Sequence, residues 1–170
     1  MSVPSRARAL LAISILACHA GLAISQESAP EQQAEASGGQ RKVLAVGMHN
    51  SGKALAEVSA AIRDGTQVTI KVRFRPVGNG LDEPIELYDN LTERAYQTDF
   101  YLLAGNRKYL LLKDTEDRPL APSTATINAG DAMYAGSWYG VFPAPPVDEN
   151  VMLFLQDVEP LGPFLIPAQD

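Results

Sequence analysis

Gly47, four intervening residues, Gly52 and Lys53 give "GMHNSGK" the glycine and lysine spacing of a phosphate-cradling loop. That chemistry needs backbone amides curled round phosphate at a helix start, a lysine on the β- and γ-phosphates, and a Ser or Thr hydroxyl on magnesium. Ala54 stands where the hydroxyl is required, and the residues after it alternate as a strand rather than opening a helix. Two apolar runs end at Asp114 and Asp157, where a metal-holding carboxylate would sit. Lys113 and Gln156 interrupt them, and no strand–helix–strand alternation surrounds them. The stretch therefore reads as a loop between the first two strands. Lys53 is then an exposed cation, and no cofactor is expected.

Other residues invite similar tests. His49 is one of two histidines, and the other, His19, lies in an N-terminal apolar run. Its neighbourhood offers no second zinc ligand, so the expectation is an exposed loop histidine. His49 and Ser51 have the types of a base and a nucleophile, but spacing alone gives no hydrogen-bonded geometry. Acids cluster at Asp82-Glu83 and at Asp114-Glu116-Asp117. Calcium favours such oxygen-rich loops, yet the twelve-residue helix–loop–helix pattern is absent, and solvated turn acids are the plainer reading. "NLT" (Asn90 to Thr92) fits a glycosylation triplet, which is a weak signal. Phe100, Tyr101, Trp138, Tyr139 and Phe142 have the chemistry either of a binding groove or of a core with its polar atoms at the edge.

The elements that must position these residues are strands. In "AEVSAAIRDGTQVTIKVRFRPV", Ala56, Val58, Ala60 and Ile62 alternate with Glu57, Ser59, Ala61 and Arg63. After the turn signal Asp64-Gly65, Val68, Ile70, Val72 and Phe74 alternate with polar residues. Period-two alternation on both sides of such a turn predicts a hairpin with one buried face. A short strand is expected over Ile85 to Tyr88. A second hairpin is expected in "TDFYLLAGNRKYLLLKD", turning near Gly105-Asn106. "TEDRPLAPSTATINAGD" reads as a turn-rich connection. "AMYAGSWYGVF" and "NVMLFLQDV" are further strands separated by "PAPPVDE", and "PFLIP" closes the chain. Short strands with Gly/Pro punctuation and no long helical period predict an all-β, antiparallel sandwich of about seven to eight strands.

The N-terminus reads differently. "MSVPSRAR" supplies Arg6 and Arg8, "ALLAISILACHAGLAI" is mostly apolar, and Ala23 and Ser25 have cleavage-site spacing. Residues 1–25 are thus expected to be an export signal. Cys18, the only cysteine, also sits in an "ILAC" context that would suit lipidation. In that case the protein would be anchored to a membrane rather than span it. Residues 26–40, "QESAPEQQAEASGGQ", lack large apolar side chains and read as a flexible linker. The folded domain is expected over 41–170, without a disulfide. Removing residues 1–25 takes away two arginines and no acid, moving the formal charge from -6 to -8. That balance argues against binding nucleic acid or anionic lipid.

Three stretches carry a family resemblance: "AEVSAAIRDGTQVTIKVRFRPVGNG", "DFYLLAGNRKYLLLKDTEDRPLAP" and "AGDAMYAGSWYGVFPAPPVDENVMLFLQDVEPLGPFLIP". Their order resembles a family of bacterial exported immunoglobulin-like domains of unknown function, related to a secreted mycobacterial immunoprotective antigen. The resemblance spans Ala56 to Pro167, and "FPAPP" after Trp138 is its most specific piece. It implies an immunoglobulin-like β-sandwich in the envelope or outside the cell, and no catalytic residues. "RFRPVGN" departs from the family's polar strand end, and Pro76 is expected to end the strand. Gly136 and Gly140 flank Trp138 and imply a bulge or a close approach.

Together these readings predict an exported, non-enzymatic interaction domain with an unknown protein or surface ligand as partner. Trp138, Tyr139, Phe142, Pro143, Pro145 and Pro146 are its expected interaction surface. A small-ligand or calcium carrier is the alternative, and a hydrolase working through paired carboxylates is a third class.

Overall fold

The computed structural model describes residues 42–168. The expected leader at 1–25, Cys18 and the expected linker at 26–40 lie outside the described residues. The described part is all-β, with ten strands and one short helix. β1 (Ala45–Met48), β2 (Ala54–Asp64), β3 (Gln67–Pro76) and β8 (Gly136–Pro143) form one antiparallel sheet in the order β1-β2-β3-β8. β10 (Leu161–Leu165), β9 (Asn150–Phe154), β5 (Tyr101–Ala104) and β6 (Arg107–Leu110) form a second, in the order β10-β9-β5-β6. β4 (Ile85–Tyr88) and β7 (Ala125–Ile127) pair as a small third sheet. The helix α1 spans Glu93–Thr98.

Both expected hairpins form, and β3 ends at Pro76. The count exceeds the expected seven to eight strands partly because β7 lies inside the stretch read as a turn-rich connection. Three residues are too few to show a period. The helix also went unforeseen because six residues carry no helical repeat. Its local cause is Thr92, whose Oγ1 accepts the Ala95 N–H at 3.2 Å. That threonine is the last residue of the "NLT" triplet.

Inward faces of both large sheets feed one apolar cluster. β3 contributes Val68, Ile70, Val72 and Phe74; β5 and β9 contribute Leu102, Val151 and Leu153. Each of these seven removes most of its side chain from water, worth roughly 1.5–3 kcal/mol apiece before ordering entropy is subtracted.

β2 departs from its simple alternation. Val58 faces Val72, but Ala60 faces Lys71, so one extra residue bulges at Ser59. A one-residue slip moves every following side chain to the other face. Ala60 and Ile62, expected inside, turn outward, and Ile62 is exposed. Ala61 and Arg63, expected outside, share the inward face, opposite Ile70 and Val68. An arginine is thereby carried to the core side at the end of the sheet.

Candidate functional site

The expected interaction surface divides in two. Trp138 and Phe142 belong to the core, at 2% and 0% exposure, which corrects their placement on a recognition surface. The cause is the pleat of β8: Trp138, Gly140 and Phe142 face inward, while Tyr139 points to solvent. Trp138 stacks near Phe100 at 6.1 Å between ring centres, and Phe100 meets Tyr88 edge-on at 5.1 Å. Trp138 Nε1–H donates to Tyr88 Oη at 3.0 Å, and that hydroxyl donates to the Pro122 carbonyl at 2.8 Å. Burial pushes the Tyr88 hydroxyl up to about 12, with the Trp138 bond a smaller opposing influence. Gly140 is the close approach anticipated beside Trp138, because a Cβ there would collide with the indole ring. The pairing of β3 with β8 runs without a register shift, so there is no bulge at Trp138.

Of the expected proline surface, Pro146 is exposed, Pro143 is half-buried and Pro145 is buried. Pro143, Pro145 and Pro146 form one wall of a groove of about 730 Å³. The opposite wall is β6 with Leu111 and Leu112, and Tyr96 of α1 and Arg63 of β2 complete the lining. Arg63 Nη2–H donates to the Pro145 carbonyl at 2.9 Å. Its Nε is buried without a hydrogen-bond partner among the described residues. Arg107 stands over the Tyr109 ring, 5.5 Å from its centre. Lys108 points elsewhere, with its ammonium on the Gln97 carbonyl at 2.8 Å and over the Tyr101 ring at 3.8 Å. No acid lines this groove, although the whole chain carries a formal -6. Sequence reasoning found the prolines and missed Arg63, Arg107 and Tyr96. The signal for Arg63 was hidden by the bulge; a basic pair after Gly105-Asn106 was visible but had no partner in sequence.

A second, larger groove of about 1500 Å³ lies on the outward side of the first sheet, between β3 and the Thr124–Ser137 segment. Glu57 is at its floor, 5% exposed. Arg73 Nε–H donates to Glu57 Oε2 at 3.0 Å, and Arg75 Nε–H to Oε1 at 2.9 Å. Tyr134 covers Arg73, 4.1 Å from ring centre to guanidinium. The carboxylate is fully matched here, so this larger space holds compensated charge, whereas the smaller groove does not.

His49 is buried rather than exposed, which corrects the sequence expectation. The cause is the 157–159 segment, which closes the β1 edge: His49 bridges to Val158, and Asn50 N–H donates to the Asp157 carbonyl at 2.8 Å. Gly47 lies within β1, not in the loop after it, and a Cβ there would sit 2.7 Å from the Glu159 carbonyl oxygen. His49 Nδ1 accepts the Ser51 N–H at 3.1 Å and lies 2.9 Å from Ser51 Oγ, so the pair does meet. Burial holds the imidazole below its usual range, with Asp157 opposing. The other ring nitrogen is buried and has no hydrogen-bond partner among the described residues, so no base–nucleophile–orienter chain is assembled there. The Asn50–Lys53 stretch is a turn before β2, as expected, with no helix after Lys53.

The acidic turn at 114–118 is closed by its own residues. Asp114 Oδ1 accepts the N–H of Glu116 and Arg118, and Oδ2 accepts Arg118 Nε–H. The Arg118 backbone N–H foremost holds the Asp114 carboxyl below its usual range. Among the described residues no three acids, histidines or cysteines are placed to hold a metal, and no helix is long and apolar enough to cross a membrane.

Comparison with known proteins adds no relative: no family model, curated protein or solved structure matches this chain.

Proposed function

We propose that the chain is an exported, non-enzymatic immunoglobulin-like β-sandwich that recognises a partner protein through the groove between Pro143–Val147 and β6. The observation that carries this reading is the fate of "FPAPP": its prolines form a rigid rim opposite an uncovered strand edge, with uncompensated arginine at the base. Two four-stranded antiparallel sheets sharing one core support the sandwich part. The 1–25 segment and the resemblance of Ala56 to Pro167 support export and the immunoglobulin-like class. Cys18 is the site for a lipid anchor if the leader is processed there. A rigid sheet pair suits recognition because loops and edges can be read while the core holds them in place.

The test is position-specific photocrosslinking. A benzoylphenylalanine at Pro146, on the exposed rim, should trap a discrete partner in cells of the native host. The same label at Val46, exposed on β1, should not. Identical products from both positions, or none from Pro146, would overturn the reading.

A further inference from the structure

We infer that the β6 groove takes an extended acidic peptide segment, added as a fifth strand to the β10-β9-β5-β6 sheet. The inference rests on the groove assigned above and names what it binds.

The edges of the two large sheets are treated differently. At β1, Glu159 N–H donates to the Met48 carbonyl at 2.9 Å, and Met48 N–H donates to the Glu159 carboxylate at 3.0 Å. Along β8, Leu112 N–H donates to the Val141 carbonyl at 2.7 Å and Val141 N–H to the Leu120 carbonyl at 3.0 Å. β10 lies against β1. β6 pairs with β5 on one side; β8 lies near it, but no strand among the described residues forms a ladder with its other side. Its hairpin turns through two residues, Gly105 and Asn106, so Ala104 and Arg107 exchange ladder bonds, as do Leu102 and Tyr109. The N–H and C=O groups of Lys108 and Leu110 therefore face the open edge, and both residues line the groove. Edge strands left in this state are templates for another strand.

Charge selects which strand. Arg63 has a buried Nε with no partner, and Arg107 makes no ion pair among the described residues. The acids nearest the groove are committed or peripheral. Glu93 and Asp117 are bonded to Lys113, beside Tyr96. Glu149 sits at the Gly105 turn. Asp64 and Asp148 are exposed and do not line the space. A second copy paired antiparallel about Lys108 would set that ammonium against its own counterpart, and like charges across a strand pair oppose that register. An incoming segment with alternate Asp or Glu side chains satisfies both the ladder groups and the arginines. Its other side chains would point to the opposite face of the sheet, beside those of Lys108 and Leu110.

The probe is a fluorescein-labelled, amidated Glu-Val-Glu-Val-Glu-Val peptide, titrated by anisotropy against the full chain. Its Gln-for-Glu counterpart should bind at least tenfold more weakly. Arg107→Glu, at an exposed position, should weaken the acidic peptide at least tenfold while leaving the melting curve in place. N-methylation of alternate peptide nitrogens should abolish binding with the charge intact, and amide exchange at Lys108 and Leu110 should slow when the unmodified peptide is added. Equal binding of the Gln peptide would overturn the charge argument. Binding indifferent to N-methylation, or unchanged exchange at Lys108 and Leu110, would overturn strand addition. No binding at millimolar peptide, or a dimer joined through β6 in solution, would overturn the inference as a whole. A Pro146 crosslink to a partner in the absence of peptide binding would leave the groove's role standing and remove only the acidic strand.

Discussion

Trp138 Nε1–H donates to Tyr88, Tyr88 donates onward to Pro122, and Glu57 takes an N–H from each of two arginines. At the other end of the same sheet, Arg63 has one bond to Pro145 and a buried Nε with no hydrogen-bond partner among the described residues. Both regions bury polar atoms, and only the first satisfies them. A buried polar atom left unmatched costs about 1–3 kcal/mol. The difference teaches where stability is concentrated and where polar groups are left open. The β3–β8 flank is built to hold the sandwich together. The β6 end keeps donors and a strand edge available.

The contrast is tested most strongly at Trp138. Trp138→Ala removes an indole packed on Phe100 and Phe142 and leaves Tyr88 Oη without its donor. The expected loss is about 4 kcal/mol, read as a lowered urea midpoint. A cost below about 1 kcal/mol would mean that this flank is not the stabilising one. Glu57→Gln comes next. It keeps the shape but leaves Arg73 and Arg75 without an anion. Because both guanidiniums keep some solvent contact, the expected loss is about 2 kcal/mol, below the range for a fully buried pair. A double-mutant cycle with Arg73→Gln should recover part of it.

Alkaline titration probes the same flank more gently. Tyr88 ionises near 10 in an unfolded chain and is pushed up to about 12 when folded. The unfolded state therefore loses its proton first. The stability owed to Tyr88 is complete below about pH 10 and is lost as pH rises toward 12, on the order of 1 kcal/mol after screening. Tyr88→Phe should flatten that stretch of the curve, checked by urea melts at each pH. An unchanged slope would show that Tyr88 is not the group responsible.

How much of this could be read in the sequence depends on how far each feature rests on local pattern. Alternation over Val68 to Phe74 and the turns at Gly65 and Gly105 mark both hairpins without any tertiary information. The failed phosphate loop is also local: Ala54 lacks the hydroxyl, and β2 replaces the helix. Trp138 and Phe142 could be placed on β8, but their face could not, because Tyr139 and Gly140 alternate equally well in either sense. His49 is covered by a segment more than a hundred residues away, which no nearby residue announces. Arg63 is the most instructive failure. Its polar-side placement follows from strict alternation, and a single extra residue at Ser59 reverses it. Nothing in "EVSAAIRD" marks that bulge, since Ser59 bonds the Lys71 carbonyl at 3.1 Å only once the strands have paired.

Arg63 also gives the smallest expected effect, and the one that separates the two regions most cleanly. Arg63→Met keeps the length and apolar stem of the side chain while removing the guanidinium. The loss is one bond to the Pro145 carbonyl. The gain is relief of an unmatched Nε, and an apolar replacement for a poorly compensated buried charge is often neutral or stabilising. The two effects oppose each other, so stability should stay within about 1 kcal/mol of the parent in a urea melt. If Arg63 were instead a structural tie for the proline segment, the same substitution would cost as much as Glu57→Gln. Amide exchange at Ala144, whose N–H donates to the Thr66 carbonyl at 2.8 Å, would then quicken as that segment came loose. Unchanged exchange with unchanged stability would show that the arginine is held at the sheet end without being needed there for the fold.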